Sequence, residues 1–141
     1  MRQIAMGAAA ALLLFVSGSA CAATLHFKAA LSGHDEVPPN AATGTGKLTA
    51  TLDTDSKALS YNVTYRGLSG PGVAAHFHGP AAAGANGPVV IPVTAPASPI
   101  KGTATLTDAQ VADLKAGAWY FNVHTQANPG GEIRGQITAG K

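Results

Sequence analysis

Cysteine is nearly absent from this chain. Its one thiol in 141 residues, Cys21, sits in an apolar N-terminal stretch, so the remainder has no disulfide to hold it and must be stabilised by core packing or by a metal. Charge is scarce as well, at 11% of residues, and evenly split. Setting aside Arg2 from the nine basic side chains leaves eight against seven acidic ones. That near-neutral balance gives no electrostatic case for nucleic acid or for an acidic membrane surface. No apolar run is long enough to span a bilayer, since Ala8–Val16 falls well short. There is also no nucleophile–base pair and no phosphate-binding glycine loop, which argues against hydrolysis and nucleotide chemistry.

The first 22 residues read as a secretory signal peptide. Arg2 supplies the positive start, Ala8–Val16 the short apolar centre, and Ala20-Cys21-Ala22 fits the small-residue cleavage pattern. The alternative is a lipoprotein with Cys21 acylated, but Gly18-Ser19-Ala20 lacks the large apolar residue usual before such a cysteine. Cleavage leaves residues 23–141, roughly 118 residues and one domain in size. The expected location is the periplasm or the cell exterior, with no membrane insertion after cleavage.

The mature segment is rich in Gly, Pro, Thr, Val and Ala, with short alternating runs, the pattern of an all-β sandwich. Strands are predicted at Thr24–Leu31, Gly46–Asp53, Leu59–Arg66, Val73–Gly79, Val89–Val93, Gly102–Leu106, Ala118–His124 and Glu132–Thr138. The second and third form the clearest hairpin, because Leu48, Ala50 and Leu52 share a face, as do Leu59, Tyr61, Val63 and Tyr65. Asp53 and Asp55 between them loosely resemble half a calcium loop but lack its glycine and distal glutamate, so a solvated turn is the reading taken. The one helix is Thr107–Ala116, with Thr107 and Gln110 set for a capping box and Gly117 as its stop.

Histidine is what the composition has in excess. All five histidines follow the signal peptide. In "VAAHFHG" strand alternation puts Val73, Ala75 and Phe77 on one face and Ala74, His76 and His78 on the other. In "AWYFNVHT" it puts Trp119, Phe121 and Val123 on one face and Tyr120, Asn122 and His124 on the other. Two histidines at i and i+2 have Cα atoms roughly 6.5–7 Å apart, close enough for their imidazoles to converge on one ion. If the two strands are neighbours, His124 adds a third nitrogen. The Gly79-Pro80 turn is expected to lead the chain away, and the loop Ala81–Gly87 to leave the rings accessible. His34, beside Asp35 and Glu36 in the loop Gly33–Pro39, is a candidate fourth ligand. His26 is read as packing or facing solvent. Glu132 and Arg134 share a strand face, either as an exposed ion pair or as residues that orient a ligand histidine; Glu36 and Tyr120 are candidates for the same supporting part. Trp119 and Phe121 are assigned to the core.

The stretches "GHDEVPP", "GLSGPGVAAHFHGPAAAGANGPVV" and "LTDAQVADLKAGAWYFNVHTQANPGGEIRGQI" together resemble a CHRD domain, the module first described as a repeat in chordin and found widely in bacterial exported proteins. The resemblance runs from about Leu25 to Ile137. It implies a Greek-key-like antiparallel β-sandwich similar in architecture to copper–zinc superoxide dismutase, and no settled activity. By motif, His76 and His78 match the family's H-x-H, His124 its "NVHT" histidine, Glu36 its "EVPP" glutamate, and Glu132 and Arg134 its "GEIRG" pair. His34 falls at a variable position. No second set of ligands for a zinc site and no disulfide accompany the dismutase likeness.

Three readings follow. The first is an exported metal-binding protein holding copper, or zinc in its place, through His76, His78 and His124, for binding, buffering or delivery. The second is an extracellular interaction module that contacts another exported protein and needs no metal. The third, with least support, is a dismutase-like redox enzyme.

Overall fold

The computed structural model describes residues 22–141; residues 1–21 of the predicted leader, Cys21 included, lie outside the described residues. The described residues form nine strands and one helix: β1 Thr24–Ser32, β2 Thr45–Asp53, β3 Ala58–Arg66, β4 Gly72–His78, β5 Val89–Pro92, β6 Ile100–Thr105, α1 Asp108–Lys115, β7 Tyr120–Thr125, β8 Ile133–Gln136 and β9 Thr138–Ala139. All strand pairs are antiparallel, in the order β5-β4-β7-β8-β1-β2-β3-β6, with β9 also on β1. The all-β architecture with a single short helix is the one expected.

Period-two patterning builds the core. Phe27, Ala29 and Leu31 of β1, Leu48, Ala50 and Leu52 of β2, Leu59 and Val63 of β3, Ala75 and Phe77 of β4, and Phe121 and Val123 of β7 all point inward and are buried. The sheet curls so far that strands distant along its path meet across this core. Tyr61 of β3 packs edge-on against Phe77 of β4 at a ring separation of 4.9 Å, and Phe77 packs against Phe121 at 4.8 Å. Trp119 and Phe121 are fully buried, as assigned.

The β2–β3 hairpin pairs Leu48 with Val63 and Leu52 with Leu59. Its turn is closed by Asp53, whose Oδ1 accepts from the backbone N–H of Asp55 and of Ser56. That use of the carboxylate explains the Asp53/Asp55 spacing without a cation. The capping box on α1 is formed: Thr107 Oγ1 accepts from Gln110 N at 3.2 Å, and Gln110 Oε1 accepts from Thr107 N at 2.9 Å.

The final predicted strand, Glu132–Thr138, is divided in two. β8 lies between β7 and β1 and pairs with both, whereas β9 pairs with β1 alone. Ile137, between them, turns inward and its N–H goes to Trp119 O. Gly135 lies where β8 passes closest to β1, and a side chain there would run into the backbone of Ala30. Among the described residues no helix is long and apolar enough to cross a membrane.

Candidate metal centre

Strands β4 and β7 are direct neighbours, and their register sets the site. His76 faces Asn122, His78 faces Tyr120, and His124 faces Ala74. His76 and His124 are therefore diagonal partners, and the small side chain of Ala74 leaves the space into which His124 leans. The rings of His76 and His124 are centred 4.9 Å apart, those of His76 and His78 5.4 Å apart. One nitrogen from each of the three lies within 4.8 Å of the others. These three form the one group of metal-ligating residue types found close together among the described residues.

Magnitudes show how near this is to a coordinating set. Imidazole nitrogens about 2.0–2.1 Å from a shared ion stand about 2.9–3.4 Å apart at right-angled to tetrahedral geometry. His76 Nδ1 and His124 Nε2 are 3.1 Å apart, inside that range.

Backbone carbonyls set the tautomers. His78 Nδ1 lies 3.0 Å from Gly87 O, and His124 Nδ1 lies 2.9 Å from Pro129 O. A carbonyl only accepts, so each Nδ1 donates its proton and each Nε2 keeps a lone pair directed at the cluster. The amide of Asn122 reaches both: the atom placed as its Oδ1 lies 3.1 Å from His78 Nε2 and 3.0 Å from His124 Nε2. With both lone pairs directed at it, this amide is assigned its NH2 towards the rings, an assignment made from the network. His76 Nδ1 then donates to His124 Nε2. No carboxylate hydrogen-bonds to the three rings among the described residues.

Burial shapes the ionisation. It pushes the His76 imidazole below the ordinary histidine value, and the neighbouring His124 and His78 push the same way. Burial also lowers His78; the hydrogen bond to the Gly87 carbonyl opposes it, while His124 and Arg134 add to the lowering. Both rings are thereby kept neutral, the form that binds metal.

The support beneath the rings differs from what sequence spacing suggests. The loop after Gly79 does not leave the face open. It folds back, with Ala81 N on Ala118 O, Gly87 N on the Tyr120 hydroxyl, and Gly87 O on His78. It covers Tyr120 and Arg134 and leaves the three histidines half-exposed. Tyr120 lies parallel to His78 at 4.7 Å and 3°, and the Arg134 guanidinium rests 3.4 Å from the centre of the same ring. β7 runs between β4 and β8, so the phenol is a platform flanked by an imidazole and a guanidinium.

Glu132 and Arg134 do not form an exposed ion pair; both are buried and each has other partners. Arg134 donates to Asn86 Oδ1 and Ala85 O of the folded-back loop. Glu132 accepts from Ser69 N, Ser69 Oγ, Thr125 Oγ1 and Asn128 Nδ2. Burial pushes its carboxyl up, but these hydrogen bonds outweigh burial and hold it below the usual range. It thereby pins the turn that carries Pro129, the carbonyl partner of His124.

Glu36 makes no hydrogen bond to the three histidines, and His34 is not brought into their group. His34 is exposed and lines a separate cleft with Glu36 and Arg134, because the Gly33–Asn40 loop packs over β8 rather than over the β4–β7 seam. His26 is exposed on β1. Sequence reading overlooked Asn122 as a site residue, although its parity with Tyr120 and His124 places it on the same face. The carbonyls of Gly87 and Pro129 carry no side-chain signature at all.

Comparison with curated proteins and with solved structures returned no match. The model of the CHRD domain family matches residues 27–137, a span from the second half of β1 to Ile137 that contains every residue of the histidine cluster. The chain belongs to the CHRD domain family.

Proposed function

We propose that this protein is an exported metal-binding protein that holds copper through His76, His78 and His124, for binding, buffering or delivery. The observation that carries the reading is the 3.1 Å approach of His76 Nδ1 to His124 Nε2, with His78 Nε2 held towards the same amide. The donor set is all imidazole, without thiolate or carboxylate, and such nitrogen sites suit copper and zinc, with affinity rising to copper along the first-row series. Zinc is the alternative ion. The half-exposed rings leave a position open for exchange with a donor or acceptor of the metal. Export, and the division into a signal over residues 1–22 and a domain over 23–141, rest on the N-terminal sequence.

Calorimetric titration of Cu(II) into the mature protein tests the ligation. Protons compete for the same nitrogens, so affinity is expected to fall as pH drops through the histidine range. Because His76 and His78 titrate below the ordinary value, most of that fall is expected on the acid side of about 6.5. Equal affinity at neutral and mildly acidic pH would count against imidazole ligation. Elemental analysis of untagged protein from its native compartment then identifies the metal.

A further inference from the structure

Asn122 sits in the middle of the histidine cluster. It faces His76 across the β4–β7 ladder, comes two residues before His124 on β7, and is only 3% exposed. Taken in succession, His76 Nδ1 to His124 Nε2 is 3.1 Å, His124 Nε2 to the amide 3.0 Å, and the amide to His78 Nε2 3.1 Å. Donors about 2.05 Å from one ion with that spacing subtend about 95–100° at it, nearer a square than a tetrahedron. The diagonals of such a square are about 4.1–4.3 Å. The three imidazole nitrogens all lie within 4.8 Å of one another, which accommodates them. The amide thus repeats the spacing of the ligand nitrogens and does not stand behind them.

Without an ion, donors and acceptors in the cluster are poorly matched. His124 Nε2 has one lone pair, yet His76 Nδ1 and the Asn122 amide both approach it. With NH2 towards the rings, the amide brings a second donor to that lone pair. With oxygen towards the rings, it sets an acceptor against the lone pairs of His78 and His124. A cation removes the conflict in the second orientation, because the oxygen and the nitrogens then all direct electron pairs at it. No other side-chain hydrogen bond holds the amide among the described residues, so either end is free to face the rings.

The donors also select the ion. Both methionines and the one cysteine, Met1, Met6 and Cys21, lie in the predicted leader, so residues 23–141 contain no sulfur ligand of the kind that selects Cu(I). Imidazole nitrogens and an amide oxygen near right angles make a tetragonal N,O set, which suits Cu(II) or Ni(II), and the first-row affinity order favours copper. Given the reading of the three histidines as a metal centre, on which this step rests, we infer that Asn122 Oδ1 is a fourth ligand and that the ion held is Cu(II). The amide donates from its NH2 in the metal-free protein and turns its oxygen to the ion on binding.

The test uses Cu(II) and Cu(I) alone as probes on the mature protein at neutral pH. Asn122→Ala is expected to weaken Cu(II) binding at least about tenfold, the lower end of what is lost even for groups that only orient a ligand, and to leave Cu(I) binding within about twofold. Asn122→Asp keeps an oxygen and loses the NH2, so it is expected to hold Cu(II) as tightly as wild type or tighter. An amide that only hydrogen-bonds the rings would make Asp as weak as Ala. A measurement on the unaltered chain covers variants that fail to fold. With asparagine 13C-labelled at the side-chain carbonyl, pulsed electron–nuclear double resonance of the Cu(II) form is expected to show an isotropic coupling to that carbon. Through-space coupling alone, Cu(II) affinity indifferent to Asn122→Ala, or weakening by Asn122→Asp in a variant with the wild-type circular dichroism would overturn the fourth ligand and leave ligation by three histidines standing. Failure of the wild type to bind Cu(II) would overturn both.

Discussion

The outer faces of the two halves of the sheet are built on the same alternation and end up in opposite states. On β1, β2, β3 and β6 the outward side chains, among them Lys28, Lys47, Thr49, Ser60 and Lys101, stand in water. On β4, β7 and β8 the outward side chains include Tyr120, Asn122 and Arg134, each no more than 3% exposed. The first face is an ordinary solvated sheet surface. The second is a buried polar layer roofed by Gly79–Pro88 on one side and Gly33–Asn40 on the other, with the histidines at its open rim. Burying tyrosine, amide, carboxylate and guanidinium together is unfavourable unless each finds a partner. The roof loop supplies partners to Tyr120 and Arg134, Ser69, Thr125 and Asn128 supply those of Glu132, and the histidine rings meet Asn122, so that the layer supports the three imidazoles.

The sharpest way to break this contrast is to remove one member of the buried layer. Glu132→Ala leaves Ser69, Thr125 and Asn128 donors without an acceptor, and is expected to cost about 2–4 kcal/mol in denaturant unfolding. The turn bearing Pro129 should loosen with it, so metal affinity falls too. A stability change within experimental error would show that the layer is not the brace it resembles. Tyr120 sharpens the comparison further, since its ring carries the orientation of His78 without touching any ion. Tyr120→Leu is expected to weaken Cu(II) binding about tenfold, the usual range for groups that orient a ligand histidine. Tyr120→Phe keeps the flat platform and should restore most of that loss; if Phe is as weak as Leu, the hydroxyl bonded to Gly87, not the stacking, is what matters.

How much of this was legible in the residues differs between the two faces. Alternation alone assigned His76, His78, Tyr120, Asn122 and His124 to one side of their strands, and the register of β4 on β7 follows from the buried partners Ala75, Phe77, Phe121 and Val123. The helix was equally plain, because a capping box is a local signature. The roof was not. "GPAAAGANGP" reads as a small, flexible turn, and its grip on the face is made through the carbonyls of Ala81, Ala85 and Gly87, which every sequence possesses. The same blindness led Glu132 and Arg134 to be paired: they share parity, yet each is drawn to a different loop, and parity says nothing about which loop lies overhead. The division of the last strand at Ile137 reflects the end of its pairing with β7 while β1 stays alongside in the same register, a long-range event with no local mark.

Titration offers a smaller effect of mixed sign. His76, His78 and Glu132 are held below their ordinary values, so the stability they confer is complete above those values and is lost as the solution is acidified. Glu36 runs the other way. Its carboxyl is raised from 4.5 to about 7, so its contribution is complete below 4.5 and is lost as pH climbs to about 7. Glu36→Gln removes that titration. It is expected to raise unfolding free energy by about 1 kcal/mol above neutral pH and by nothing in acid, allowing for its partial contact with solvent. A variant less stable than wild type at alkaline pH would mean that the ionised carboxylate already has a partner.

The smallest effect belongs to the open face, and it bears most directly on the comparison. Lys47 stands on β2 with its side chain in solvent, opposite Ala30 of β1 and Thr64 of β3. Lys47→Ala removes a charge that makes no ion pair among the described residues and exposes no buried partner, so the change in unfolding free energy is expected to stay within about 0.5 kcal/mol. Cu(II) affinity should not move, because the substitution lies across the core from the imidazoles. The strand parity of Lys47 on β2 is the same kind of fact as that of Asn122 on β7, and only the covering loops separate them. A large loss on Lys47→Ala would therefore place hidden structure on the face that looks bare, and would remove the reason for treating the roofed face as the functional one.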